Sequence, residues 1–340
     1  MKIAMVAPPY LPCPPKGYGG VERVIATLTD ALAAAGHDVT LFGHPASEVR
    51  GRVVTPDVEQ TEVFDFQRDA LHASVAMRDL GQFDIVHNHS VALLLFRQWL
   101  TTPMVTTVHG TTHYDAVRPI YREHKDAHYV SISNRQRSSG LLDMNWTATV
   151  YNGVDTEFFV PARRREADAG YLLHIGTLCQ RKGTAEAVRI ALRTGRQMIV
   201  AGRIDPINQK YFDEQVAPYV DGDQIQFVGE VDGLDKVRLY QNASALVLPL
   251  NWHEPFGLVM AEAGACGVPV LVTDMGSARE VVVPGRTGFI APDADTLADQ
   301  VARIDEIDPE DCLAHVRARF GSQAMIDGYC AVYEKLAGRG

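Results

Sequence analysis

The chain has 340 residues, of which 46% are hydrophobic and 22% charged, with a formal net charge of −10. That length exceeds what one hydrophobic core usually serves and predicts two domains of ordinary size, while a mean hydropathy of −0.08 excludes a disordered chain or a polytopic membrane chain. The acidic balance argues against nonspecific tracking of nucleic-acid phosphates, which takes a basic excess, but leaves room for a small anionic ligand.

Lys2 to Ala7 reads as a buried strand. Its apolar part is too short for a signal-peptide core or a membrane helix, so a cytoplasmic protein with no transmembrane segment is expected. The following PPYLPCPPKGYGGVE sets Gly17, Gly19 and Gly20 just before a helix predicted over Val21 to Ala35, where backbone N–H groups suit an anion. Asp38 to Phe42 is the next strand. It is followed by Gly43 and His44 rather than an acidic residue for an adenosine ribose, which disfavours a NAD-dependent dehydrogenase. Further strands are predicted at Asp84 to His87, Met104 to Val108 and His128 to Ser131. After a polar stretch from Thr156 to Gly170 the pattern restarts, with strands at Tyr171 to Ile175, Gln197 to Ala201, Ile225 to Val228, Ala245 to Leu248 and Val268 to Val272. Helical segments separate them, and Ser322 to Leu336 reads as a final helix. The pattern predicts an α/β protein of two Rossmann-like doubly wound domains, residues 1–155 and 156–320, with a tail, 321–340, docking back on the first. Ligand is expected at the carboxyl ends of the strands and in the cleft between the domains.

Several features invite a bland reading. The five cysteines are scattered and include no CxxC pair, which fits free thiols in a reducing compartment. Arg163, Arg164 and Arg165 are soon followed by Glu166 and Asp168 and read as a solvated linker. Asp221-Gly-Asp223 and Asp293-Ala-Asp295 match the D-x-D pattern of metal-dependent transferases but read as a turn and a helix start. His87 and His89 alternate across a strand end, so at most one is expected to face the cleft, and no third ligand suggests zinc.

The strongest chemical signal is EPFGLVMAE, Glu254 to Glu262, which follows the strand SALVLPL and opens a helix. Residues 257–259 would present free helix-start N–H groups to an anion, and Glu262, two turns beyond Glu254, can point to the same side. With its Pro-Phe-Gly, the stretch resembles the E-x7-E motif of glycosyltransferase family 4, retaining enzymes of the GT-B fold. Other segments match in order: GYGGVE at 17–22, DIVHNHS at 84–90, TTVHG at 106–110, YNGVD at 151–155, HIGTLCQRKG at 174–183, FVGEV at 227–231 and GVPVLVTDMGSARE at 267–280.

The resemblance implies an acceptor-side first domain, a second domain for a nucleoside diphosphate sugar, and a role for each matched residue. Gly19 and Gly20 approach the donor diphosphate, His109 lies at the reacting sugar and Lys182 clamps the diphosphate. Gly229, Glu230 and Val231 contact the base through their backbone, and Glu254, Phe256, Gly257, Leu258 and Glu262 line the donor site, Glu254 on the sugar and Glu262 on the ribose. One departure stands out. The family usually has Gly-Arg-Leu where this chain has Gly176, Thr177 and Leu178, so a cation is missing from its place, and Arg181 or Arg203 is left to substitute.

The reaction so implied is transfer of a hexose to a hydroxyl acceptor with retention, by attack on the face of the departing group. No metal and no cofactor are expected, the nucleotide sugar being a substrate. Family usage favours UDP-glucose, then GDP-mannose. The alternatives are another GT-B enzyme, such as a nucleotide-sugar 2-epimerase or a phosphorylase with its pyridoxal-phosphate lysine, or a non-catalytic nucleotide-sugar-binding protein.

Overall fold

The computed structural model describes residues 1–55, 65–111, 116–138, 143–162 and 170–338. The basic cluster Arg163 to Arg165, with Glu166 and Asp168, lies outside them.

The described chain divides into two units, the first comprising Met1–Gly153 with Ser322–Gly340 and the second Val154–Gly321. The first holds β1 (Lys2–Val6), β2 (Asp38–Phe42), β3 (Arg52–Val54), β4 (Ile85–Asn88), β5 (Met104–Val108), β6 (His128–Ser131) and β7 (Trp146–Thr149). They form one parallel sheet in the order β3-β2-β1-β4-β5-β6-β7. Four residues of β1 are wholly buried, as are all four of β4; β1 meets this with a continuous apolar run, whereas β4 also buries His87 and Asn88 on hydrogen-bond partners. The helix Gly20–Ala34 buries Val24, Ile25, Leu28 and Leu32, spaced three and four apart on one face. The helix Ser322–Leu336, last in the chain, belongs to this unit and packs on helix Gly20–Ala34 and on β7.

The second unit holds β8 (Tyr171–Ile175), β9 (Met198–Ala201), β10 (Ile225–Gly229), β11 (Ala243–Leu248), β12 (Val270–Thr273) and β13 (Gly288–Ala291), all parallel, in the order β10-β9-β8-β11-β12-β13. Its core joins Leu172, Val200, Val247 and Leu271 from the strands to Val188, Ile190 and Leu297 from the helices. Three strands escaped the sequence reading. β3 and β7 hold no buried residue, and β13 opens on a glycine, so none presents the apolar run that marks a central strand.

Candidate functional site

In the second sheet β8 and β11 are neighbours, but the chain leaves β8 toward β9 and leaves β11 toward β12. The loops after them therefore diverge and open a crevice at their carboxyl ends, where doubly wound sheets take their ligands. Buried His174 on β8 fastens this place. Its Nδ1 lies 2.9 Å from the carbonyl oxygen of Val247, which can only accept, so Nδ1 carries the proton; Nε2 meets the Thr184 hydroxyl at 3.1 Å. Burial holds His174 down to about 4, keeping it neutral. Gly183 sits at φ 72°, and a Cβ there would stand 1.9 Å from the carbonyl oxygen of Pro249, so only glycine lets the two loops approach. Asn251 closes the junction, its backbone N–H donating to the Arg181 carbonyl at 2.9 Å.

Lys182, from the loop after β8, and Glu254, from the loop after β11, form an ion pair between Nζ and Oε2. The lysine side chain is 25% exposed and the glutamate 10%, so the pair sits at the surface of the crevice rather than in the core. Trp252 donates its indole N–H to the same Glu254 oxygen at 3.0 Å. Its ring lies under two cations, with Arg181 Cζ 4.8 Å and Lys182 Nζ 5.1 Å from the centroid. Arg203, the other candidate for the missing cation, donates from Nε to Asp205 at 2.7 Å.

The helix Leu258–Ala265 begins just beyond, with Gly257 at φ 76° as its N-cap. The N–H groups of Leu258 and Val259 have no acceptor within the helix and can serve an anion, whereas that of Met260 donates to the Gly257 carbonyl at 2.9 Å. The Phe256 side chain turns into the core. Its ring is 1% exposed and packs edge-on against Phe320 at 5.6 Å, because an aromatic ring gains more from the core than from a polar crevice. Only its backbone stays with the loop, held by the Ser277 hydroxyl on its carbonyl at 2.7 Å.

Glu262 has partners of its own. Its side chain is 2% exposed and lies against helix Gly233–Asn242, where Lys236 Nζ reaches Oε1 at 2.9 Å and Oε2 at 2.7 Å and the Tyr240 hydroxyl donates to Oε2 at 2.8 Å. A carboxylate has about four acceptor directions, so three are taken and one remains on Oε1. The motif spacing did not reveal Lys236 or Tyr240, although their four-residue separation on one helix would place them on a common face. Gly229, Glu230 and Val231 lie at the end of β10, on the outer edge of the sheet.

In the first unit, Gly19 caps helix Gly20–Ala34 at φ 148°, and a Cβ there would stand 2.7 Å from Pro15 and 3.0 Å from a Glu22 carboxylate oxygen. His109 follows β5, and its Nε2 meets His89 Nδ1 at 2.8 Å. Burial lowers His109 to about 4 and pushes His87 and His89 well below the ordinary histidine range, so all three imidazoles are neutral near pH 7. The expectation that His87 and His89 turn to opposite sides fails. Residues two apart along an extended strand point to the same face, and His89, one residue past β4, keeps to it, with its ring centroid 4.1 Å from that of His87. His87 is tied to Tyr333 at 2.6 Å and to Thr107 at 2.7 Å, and Thr107 to Tyr329 at 2.8 Å, which binds the last helix to β4 and β5.

Both Asp-x-Asp pairs have structural partners. Asp221 accepts the N–H of Asp223 at 2.9 Å and of Ile225 at 3.0 Å, a turn, and Asp293 caps helix Ala294–Asp299 by accepting from Thr296 at 2.7 Å. Among the described residues no group of three or more His, Cys, Asp or Glu is placed to hold a metal ion, and no helix is long and apolar enough to cross a membrane. The five cysteines are free thiols.

Comparison with protein families decides the lineage. The model for "Glycosyl transferases group 1" matches residues 155–324 and that for "Glycosyltransferase Family 4" matches residues 18–158. The chain belongs to glycosyltransferase family 4. It is 28% identical to the glycogen synthase of Mycobacterium tuberculosis over 97% of this chain and 91% of that protein. Among solved structures it resembles the sucrose-phosphate synthase of Thermosynechococcus elongatus, with a TM-score of 0.83, 21% identity and full coverage of both chains. HepE of Anabaena, solved with UDP-glucose, gives a TM-score of 0.75 at 16% identity, over 99% of this chain and 100% of that one.

This family 4 chain is thus a glycosyltransferase with the GT-B fold, two parallel-sheet α/β domains. Three residues absent from the sequence reading, Trp252, Lys236 and Tyr240, contact the motif carboxylates directly.

Proposed function

We propose that this family 4 enzyme transfers a hexosyl group from a nucleoside diphosphate sugar, UDP-glucose before GDP-mannose, to an acceptor hydroxyl, with retention and without a divalent metal. The observation that carries the reading is the meeting of Lys182, Arg181 and Glu254 at the crevice between β8 and β11. Two cations and helix-start N–H groups suit a diphosphate leaving group, and the adjoining carboxylate suits sugar hydroxyls. The glucose donor is supported by HepE, solved with UDP-glucose, and by the relationship to a glycogen synthase.

In the proposed step the bond between the anomeric carbon and the diphosphate oxygen breaks while the acceptor oxygen bonds to that carbon on the same face. The acceptor proton passes to a donor phosphate oxygen, and the nucleoside diphosphate leaves. Lys182 and Arg181 take up charge as the diphosphate departs, Glu254 accepts from hydroxyls of the sugar, and neutral His109 offers a hydrogen bond rather than a proton. Glu262 keeps one acceptor direction for a ribose hydroxyl. The turn and cap roles of both Asp-x-Asp pairs support a metal-free reading, and five free thiols support a reducing, cytoplasmic setting.

A thermal-shift panel of nucleoside diphosphates and their sugars tests the donor, because a ligand at about 100 times its Kd adds about 2.7 kcal/mol to stability. UDP-glucose is expected to give the largest shift, and donor hydrolysis or transfer should persist in EDTA. Loss of turnover on chelation, restored by Mg²⁺ or Mn²⁺, would overturn the metal-free clamp.

A further inference from the structure

The geometry points to Trp252 as a positioning residue for the donor, its ring supporting both cations of the diphosphate site while its indole N–H aims the sugar-side carboxylate. The inference rests on the reading of the β8–β11 crevice as a nucleoside diphosphate sugar site. Arg181 and Lys182 are consecutive in one short turn, so nothing in their backbone makes the two side chains converge. They converge on one indole, 4.8 Å and 5.1 Å from its centroid. Tryptophan is the aromatic ring that best holds a cation over its face. Arg203 instead lies outside this cluster and pairs with Asp205. The site lacks a cation at Thr177, and the indole under Arg181 compensates by holding a different arginine beside Lys182.

The indole N–H carries the second half of the argument. It donates to Glu254 Oε2, the oxygen that also pairs with Lys182. A diphosphate that draws Lys182 away would leave this largely buried carboxylate without its charge partner. Trp252 retains a hydrogen bond on that oxygen and keeps the other free to accept from the sugar. One side chain thereby links recognition of the diphosphate to recognition of the hexose.

The ring and the N–H can be removed separately. Titration calorimetry would compare UDP with UMP and GDP with GMP, taking the pair that binds the wild-type protein more tightly, and then the corresponding UDP-glucose or GDP-mannose. Trp252→Leu, which removes both, is expected to lose about tenfold in diphosphate affinity while monophosphate affinity stays within about twofold. Trp252→Phe keeps a ring and is expected to hold diphosphate affinity within about threefold, yet to lose roughly tenfold in the preference for the nucleotide sugar over the bare diphosphate. A merely structural tryptophan would move all three affinities together. A folded Trp252→Leu protein that keeps the wild-type diphosphate preference overturns the proposal, and so does a Trp252→Phe protein that loses it. Should Trp252→Leu not fold, Trp252→Phe decides alone. Wild-type protein that binds neither diphosphate better than its monophosphate would instead remove the underlying reading of the crevice.

Discussion

Both sheets wind about their first strand in the same order, β3-β2-β1-β4-β5-β6 in one unit and β10-β9-β8-β11-β12-β13 in the other, yet their strand ends carry opposite chemistry. The first unit sets neutral imidazoles there. His87 and His89 are buried and His109 is half-buried, linked to hydroxyls and to one another, and held uncharged by desolvation. The second sets ion pairs there, Lys182 with Glu254 partly exposed at the crevice and Lys236 with Glu262 more deeply covered. The backbone plan is thus indifferent to charge. What decides it is the depth of the side chains, since a group that cannot be paired must be neutral when buried.

The largest effect expected to sharpen the contrast comes from Lys182. Lys182→Met removes the cation nearest the proposed diphosphate and should lower kcat/KM by at least about 10²-fold, the loss seen when a single donor to developing negative charge is deleted. His109→Gln, which changes an uncharged hydrogen-bonding group of the other unit, should leave affinity for the bare nucleoside diphosphate within about twofold of wild type while slowing transfer. Equal loss of nucleotide affinity in the two variants, measured by calorimetry, would break the division between a charged and a neutral unit.

An intermediate effect separates the two carboxylates. Glu262→Gln takes the charge partner from buried Lys236 as well as an acceptor from the ribose, and should weaken the bare nucleotide by about 1 to 3 kcal/mol and lower Tm. Glu254→Gln frees Lys182 from its internal partner, so the bare nucleotide should bind as well as to wild type or more tightly, while transfer is lost. Parallel weakening in both variants would show that the two ion pairs are not distinct sites.

The effect least tied to any one site is the pH dependence of stability, and its sign follows from the histidines. Burial lowers His72, His109 and His174 to about 4, from an ordinary value near 6.5, and lowers His87 and His89 as well. Between those values the unfolded chain binds protons that the folded chain refuses, so stability falls as pH drops from 6.5 toward 4, by up to about 1.4 kcal/mol per pH unit for each histidine. Asp69, raised to about 6 by burial, and Glu22, raised likewise, act in the opposite sense but are fewer. Tm measured from pH 7 to 4.5 should therefore decrease. A flat or rising profile would mean that these imidazoles are not buried neutral.

The sequence by itself determined the fold class and most of the central strands, because a parallel strand covered on both faces is mostly apolar, and such runs at β1 and, with one polar residue each, at β8 and β11 are readable one residue after another. The loops that bear Lys182 and Glu254 were readable too, since a glycine forced to positive φ or a Pro-Phe-Gly before a helix leaves a local mark. Only the tertiary structure decided what those side chains touch. Lys182 and Glu254 are 72 residues apart and meet because β8 and β11 are adjacent in the sheet, an order that no local pattern encodes. Trp252 stands two residues before Glu254 and looked like part of a loop, because its significance depends on two cations delivered by another strand end. Glu262 was assigned a direction from helix periodicity and Phe256 a place from the motif alone, whereas their partners Lys236, Tyr240 and Phe320 are brought in by packing. Periodicity places a residue on an element; burial of apolar surface chooses which elements meet, and that choice sets the partners of every charged group at the strand ends.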